Sequence, residues 1–148
     1  MKTWVIVASA ARARIFNVSG QHDPWEEVLD LVNSEDRLLR QEFASDKPGR
    51  VVDGARGQHH TMDPSVDPKE RATTQFAREV VEQLKSGLNG RRFEQLTVVA
   101  SPHFLGLLRE QMDDVLARTV KHEIIKDLTR EDATSLPARV AELQSTGA

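Results

Sequence analysis

Cysteine is absent from this 148-residue chain. That excludes a disulfide framework, a thiolate nucleophile and any zinc site built on cysteine, and it suits a reducing cytoplasm. A surplus of positive charge is also missing. The formal charge is -3 and the pI is near 6.0, so the chain is no general nucleic-acid coat and any RNA contact must be focal. No segment approaches the roughly 18 to 20 consecutive apolar residues that cross a bilayer. The opening MKTWVIVASAARA is too short for a secretory signal, so a cytoplasmic protein with no membrane insertion is expected. No G-x-G-x-x-G follows the first apolar run, and there is no nucleophile elbow, phosphate-binding loop or H-E-x-x-H pattern. Ser9 and Ser101 have no base close in sequence, which leaves serine hydrolase chemistry without support.

Hydrophobic residues make up 39% and charged residues 29%. One domain over residues 1–148 can bury a core at that length and composition without staples. Thr3 to Ala8 is a nearly continuous apolar run, as in a central strand covered on both faces. Arg12 to Val18 follows after a very short connection and predicts a hairpin; Ser19 to Pro24 is a turn. Trp25 to Val32 predicts a third strand, although its spacing also suits a short helix.

The second half begins at a strong helix start. Asp67 is the N-cap, Pro68 the first helical residue and Glu70 the third, so otherwise unpaired amides find acceptors and proline has none to lose. Ala72, Phe76, Ala77, Val80, Val81 and Leu84 form one apolar stripe up to about Ser86, and Gly87 or Gly90 ends the helix. Leu96 to Ala100 is a strand, Ser101-Pro102 opens a helix to about Gln111, and a short helical piece lies near Asp114 to Arg118. Val120 to Ile125 is the last strand and about Ser135 to Leu143 a closing helix. The order β-β-β-α-β-α-β-α predicts an α/β domain with a mixed five-stranded sheet and helices on both faces, the ribonuclease-H-like three-layer arrangement.

Residues 45–67 form a long apolar-poor stretch, and unstructured connections of that length are functional or disordered more often than not. Gly49, Gly54 and Gly57 permit close approach of a ligand to backbone, while Arg50, Arg56, His59 and His60 suit phosphate or proton exchange. A mobile surface loop without chemistry is the competing reading. Arg12 and Arg14 share a strand face by the period of two. With Lys47, Arg50 and Arg56 they form a candidate phosphate- or RNA-binding edge; taken alone they read as a solvated strand face. His59, His60, Asp63 and Asp67 are the one candidate metal set, but adjacent histidines in extended chain point to opposite sides, so no metal or other cofactor is assigned. Ribonuclease-H catalysis wants carboxylates on the first and fourth strands. Ser9 stands where the first is needed and LTVVA has none, so the nuclease reading is rejected.

Several blocks together resemble the bacterial host-attachment protein family: Trp4 to Ala8 with Ala10 to Phe16, Ser45 to Arg50, Asp67 to Glu70, and Phe104 to Arg109. The family is named for a requirement in attachment to host cells and is distantly similar to the middle domain of archaeal and eukaryotic class 1 release factors. In those factors the segment between the third strand and the next helix carries a Gly-Gly-Gln tip that admits water to the ester of peptidyl-tRNA. The resemblance therefore implies that Arg56-Gly57-Gln58 occupies the matching interval, with arginine in place of the first glycine. Gly57, Gln58 and His60 become the candidate catalytic residues. The implied partner is the ribosome or tRNA; the alternative is a non-enzymatic factor that docks a protein partner and influences attachment.

Overall fold

The computed structural model describes residues 2–20, 23–34 and 67–146. Its strands are β1 (Thr3–Ala8), β2 (Arg12–Val18), β3 (Glu26–Val32), β4 (Gln95–Ala100) and β5 (Val120–Ile125). The helices among these residues are α1 (Pro68–Asn89), α2 (Pro102–Gln111), α3 (Asp114–Ala117) and α4 (Leu136–Thr146). The sheet order is β3-β2-β1-β4-β5. β1 pairs antiparallel with β2 and parallel with β4, β2 pairs antiparallel with β3, and β4 pairs parallel with β5. The mixed five-stranded sheet with helices that the element pattern predicts is what the chain forms.

The central position of β1 explains its sequence. Every residue from Trp4 to Ala8 is buried, because alternate side chains enter two different cores and neither face meets water. Trp4, Ile6 and Ala8 join Ile15, Phe76, Val80, Leu84 and Leu108 under α1 and α2. Val5 and Val7 join Phe16, Val99, Leu136 and Val140 under α4.

Trp25 to Val32 was ambiguous between strand and helix, and β3 shows why. Ile15 faces Leu29 but Phe16 faces Glu27, so Val28 is an extra residue in the strand. A bulge of this kind breaks the period of two. Glu27 and Asp30 consequently share a face although they are three residues apart.

Asp67 caps α1 by accepting from the Lys69 amide at 3.2 Å, and the predicted stripe is the buried one. The helix runs past the predicted end at Ser86, through Gly87, to Asn89, and Gly90 follows as its cap. Gly87 is a packing residue: a Cβ there would stand 2.5 Å from Cη2 of Trp4. The close passage of helix over ring requires hydrogen at this position.

Candidate functional site at the carboxyl edge of the sheet

β1, β4 and β5 run parallel, and β3 runs the same way because it is antiparallel to β2. Four strands therefore end at one edge, where α1 and α2 begin. In open α/β sheets the carboxyl edge is where binding sites gather, since helix starts and short turns meet there.

The edge is tied together by short-range polar bonds. Ser9 N donates to Arg12 O at 2.8 Å, and its hydroxyl accepts from Ala11 N at 3.2 Å. Ser101 N donates to Ala8 O at 3.3 Å, joining the ends of β1 and β4. The buried Asn33 donates from its side chain to Ala10 O at 2.9 Å and to Ala72 O at 3.5 Å, and its own amide donates to Ala11 O. It thus links the β1–β2 turn, the end of β3 and the first turns of α1. His103 Nε2 lies 3.0 Å from both carboxylate oxygens of Glu70, bridging the starts of α1 and α2. Asn33, at the end of β3, and Asp67, at the start of α1, both lie at this edge.

Of the predicted site residues, Arg12 and Arg14 fall on the described sheet. Arg12 forms a fork on Asp30, Nε to Oδ1 at 2.8 Å and Nη2 to Oδ2 at 2.6 Å. That guanidinium hydrogen bond holds the Asp30 carboxyl below the usual range against an opposing effect of burial. Arg14 forks Glu27 at 3.0 and 3.2 Å and donates to the carbonyls of Thr129 and Glu131 at 3.4 and 2.8 Å. Its guanidinium also lies 5.2 Å from the ring centroid of Phe16.

The two arginines do share a face, but the expectation of a solvated face fails at Arg14. Its residue is only 6% exposed, because the turn at 127–131 lies over it. Asp127 builds that turn by accepting from the amide and hydroxyl of Thr129. Sequence reasoning missed the acidic partners since strict alternation puts Glu27 and Asp30 on opposite faces; the bulge at Val28 reunites them. It also missed Asn33, whose partners are separated from it by 23 and 39 positions.

Lys47, Arg50, Arg56, Gly57, Gln58, His59, His60 and Asp63 lie outside the described residues. Asp67 is the helix cap. Among the described residues no three His, Asp or Glu side chains converge on a common metal position, and no helix is long and apolar enough to cross a membrane.

The class defined by these observations is an α/β domain with a mixed five-stranded open sheet and helices. The family follows from comparison. The model of the family described as "Protein required for attachment to host cells" matches residues 4–140, and the chain belongs to that family. It is also similar to an uncharacterized protein of Rickettsia prowazekii (strain Madrid E), 26% identical over 119 residues that cover 79% of this chain and 75% of the relative.

Proposed function

We propose that the chain is a cytoplasmic, ribosome- or tRNA-directed factor of release-factor type, working from the carboxyl edge of a ribonuclease-H-like scaffold. The observation that supports this reading is that β3 ends and α1 begins at the same edge where β1 and β4 also end. The release-factor middle domain, which the family resembles, bears its catalytic tip in the same interval. Gly57 leaves room beside the tRNA end, and Gln58 directs water or stabilises the developing oxyanion of the ester. Arg50 grips phosphate with Lys47 and Arg56, and His60 orients the segment or carries a proton.

The test is release of peptide from peptidyl-tRNA, with and without ribosomes, by the wild type, Gln58→Ala and a deletion from Gly49 to His60. Loss in both variants supports the reading. Activity that survives Gln58→Ala but not the deletion keeps the segment and discards the glutamine. Absence of activity in the wild type, together with absence of ribosome co-sedimentation at low salt, overturns it.

The second reading is a non-enzymatic factor that docks a protein partner and acts on attachment to host cells directly or indirectly. The family description favours it, and so do the forks of Arg12 on Asp30 and Arg14 on Glu27, which occupy guanidinium groups that a phosphate would need. It predicts no salt-sensitive association with RNA or ribosomes, whereas the first reading predicts one that is lost on charge removal at Arg50 and Arg56.

A further inference from the structure

The opposite edge of the sheet, at the amino ends of the parallel strands, gathers five cations beside the carboxylates of Glu26 and Glu94. Lys2 precedes β1, Arg91 and Arg92 precede β4, Arg118 precedes β5 and Lys121 lies near its start; all five are exposed. Arg12, Arg14, Arg109 and Arg139 are ion-paired, whereas the exposed Arg71, Arg78 and Arg130 elsewhere on the surface form no ion pair with another described residue. Among the described residues none of the five has such a partner. Glu94 accepts from the Lys2 backbone amide at 3.0 Å, and Glu26 lines the same hollow as Lys2 and Arg92.

Backbone bonds hold the cations in a row. Lys2 O accepts from Glu94 N and Gln95 N at 2.9 and 3.1 Å, and Leu96 N donates to Thr119 O at 2.8 Å. Three neighbouring strand starts span on the order of 10 Å. Each lysine is also held beside an arginine: Lys2 Nζ donates to Arg91 O at 3.1 Å and Lys121 Nζ to Arg118 O at 3.5 Å. Like charges are thereby kept together rather than dispersed.

Arg91 supplies an independent sign. Its φ is 57°, in the left-handed region. It closes α1 with Arg91 N on Leu88 O at 3.0 Å and Arg92 N on Gly87 O at 2.8 Å. This closing position favours glycine strongly, yet the glycine stands one residue earlier, at Gly90. A cation near the helix's negative end has a favourable effect from any place in the last turn and does not require a strained one. Arg92 is steadied in turn by Trp4, its guanidinium 5.3 Å from the ring centroid.

We propose that this amino edge binds the phosphodiester backbone of RNA. Arg91, Arg92 and Arg118 offer planar forks that match pairs of phosphate oxygens, and Lys2 and Lys121 add point charges. A narrow row of cations fits one strand of phosphates; an anionic bilayer calls for a broad basic face. The proposal rests on the RNA partner of the preceding reading, but on neither Gly57 nor Gln58, and it places a contact at the edge opposite the one where β3 ends and α1 begins.

The experiment measures anisotropy of a fluorescein-labelled oligouridylate across a salt series with the purified chain. Each lost phosphate contact lowers the magnitude of the log K against log salt slope by about 0.7 for single strands. The triple variant Arg91→Gln, Arg92→Gln, Arg118→Gln is expected to lower that magnitude by about 2 and the affinity by roughly tenfold or more at low salt. Arg91→Gly separates binding from folding: its melting temperature rises as the strain is relieved, while RNA affinity falls. Lys126→Gln with Arg130→Gln, at the other edge, leaves binding unchanged. An unaltered slope in the triple variant, affinity that follows stability in Arg91→Gly, stronger competition by anionic vesicles than by RNA, or no binding by the wild type overturns the proposal. Ribosome co-sedimentation that survives the triple variant but not the deletion from Gly49 to His60 overturns it while sparing the preceding reading.

Discussion

Replacing Gly87 by alanine sets two effects of opposite sign against each other. Alanine is favoured over glycine inside a helix by about 1 kcal/mol, so on an exposed surface the change would stabilise α1. Here the new Cβ would stand 2.5 and 2.6 Å from two carbons of the Trp4 ring and 3.3 Å from Phe93. Trp4 is only 1% exposed, belongs to the central strand and stacks on Phe93 with centroids 4.8 Å apart. Any shift of its ring disturbs the stack on Phe93 and the contact with Arg92, whose guanidinium lies 5.3 Å from the ring centroid. Overpacking of this kind costs about 1–3 kcal/mol, and contacts so far below van der Waals distance belong near the top of that range. The expected net loss is about 1–2 kcal/mol. That corresponds to a fall in Tm of roughly 2–8 °C for a domain of this size. Urea denaturation followed by far-UV circular dichroism reads it as a lower midpoint with an unchanged slope. In a Trp4→Leu background the obstructing ring is gone, so Gly87→Ala should become neutral or stabilising, giving a coupling of about 1–3 kcal/mol. Equal or greater stability of Gly87→Ala in the wild-type background refutes the reasoning.

Arg14→Met removes a fork to Glu27 and two bonds to carbonyls of the 127–131 turn. Because Glu27 keeps 29% side-chain exposure and water can reach it, the expected loss is about 2–3 kcal/mol, below that of a fully buried pair. Urea titration checks it, and a loss under about 0.5 kcal/mol, the size of an exposed pair, would sink the assignment. For Asp30→Asn the sign follows from the depressed carboxyl. Its stabilising contribution is present above the ordinary aspartate value of about 3.9 and fades as pH falls through the lower folded value. The wild type should exceed the variant by about 0.5–1 kcal/mol at neutral pH, given that both partners are partly exposed. Thermal melts of the two proteins should converge on acidification, and a gap that persists in strong acid contradicts the linkage.

Most of the scaffold was legible because its signals are local or periodic. Trp4 to Ala8 reads as a buried strand, and Asp67-Pro68 as a helix start, from residues that act within one turn or one strand. The stripe from Ala72 to Leu84 needs only the helical period. What failed is equally instructive. Gly87 and Gly90 both read as stop signals; Gly90 is the cap, whereas the role of Gly87 depends on Trp4, remote in sequence and carried by another element. Strict alternation sets Glu27 and Asp30 on opposite faces, and the bulge at Val28 that reunites them leaves no mark in an alternating pattern.

The sequence by itself therefore determined the elements, their caps and the division of apolar side chains between two cores, and it held enough of the family's blocks for the resemblance to be drawn. Only the tertiary structure decided which charges are spent. It pairs Arg12 and Arg14 with acids on β3 and brings Lys2, Arg91, Arg92, Arg118 and Lys121 to one edge with no ion pair to another described residue. The reason is physical. Caps and apolar stripes are set by neighbours along the chain, whereas charge pairing is set by strand register and helix crossings that join distant residues; Arg14 meets the carbonyl of Glu131 across 117 positions.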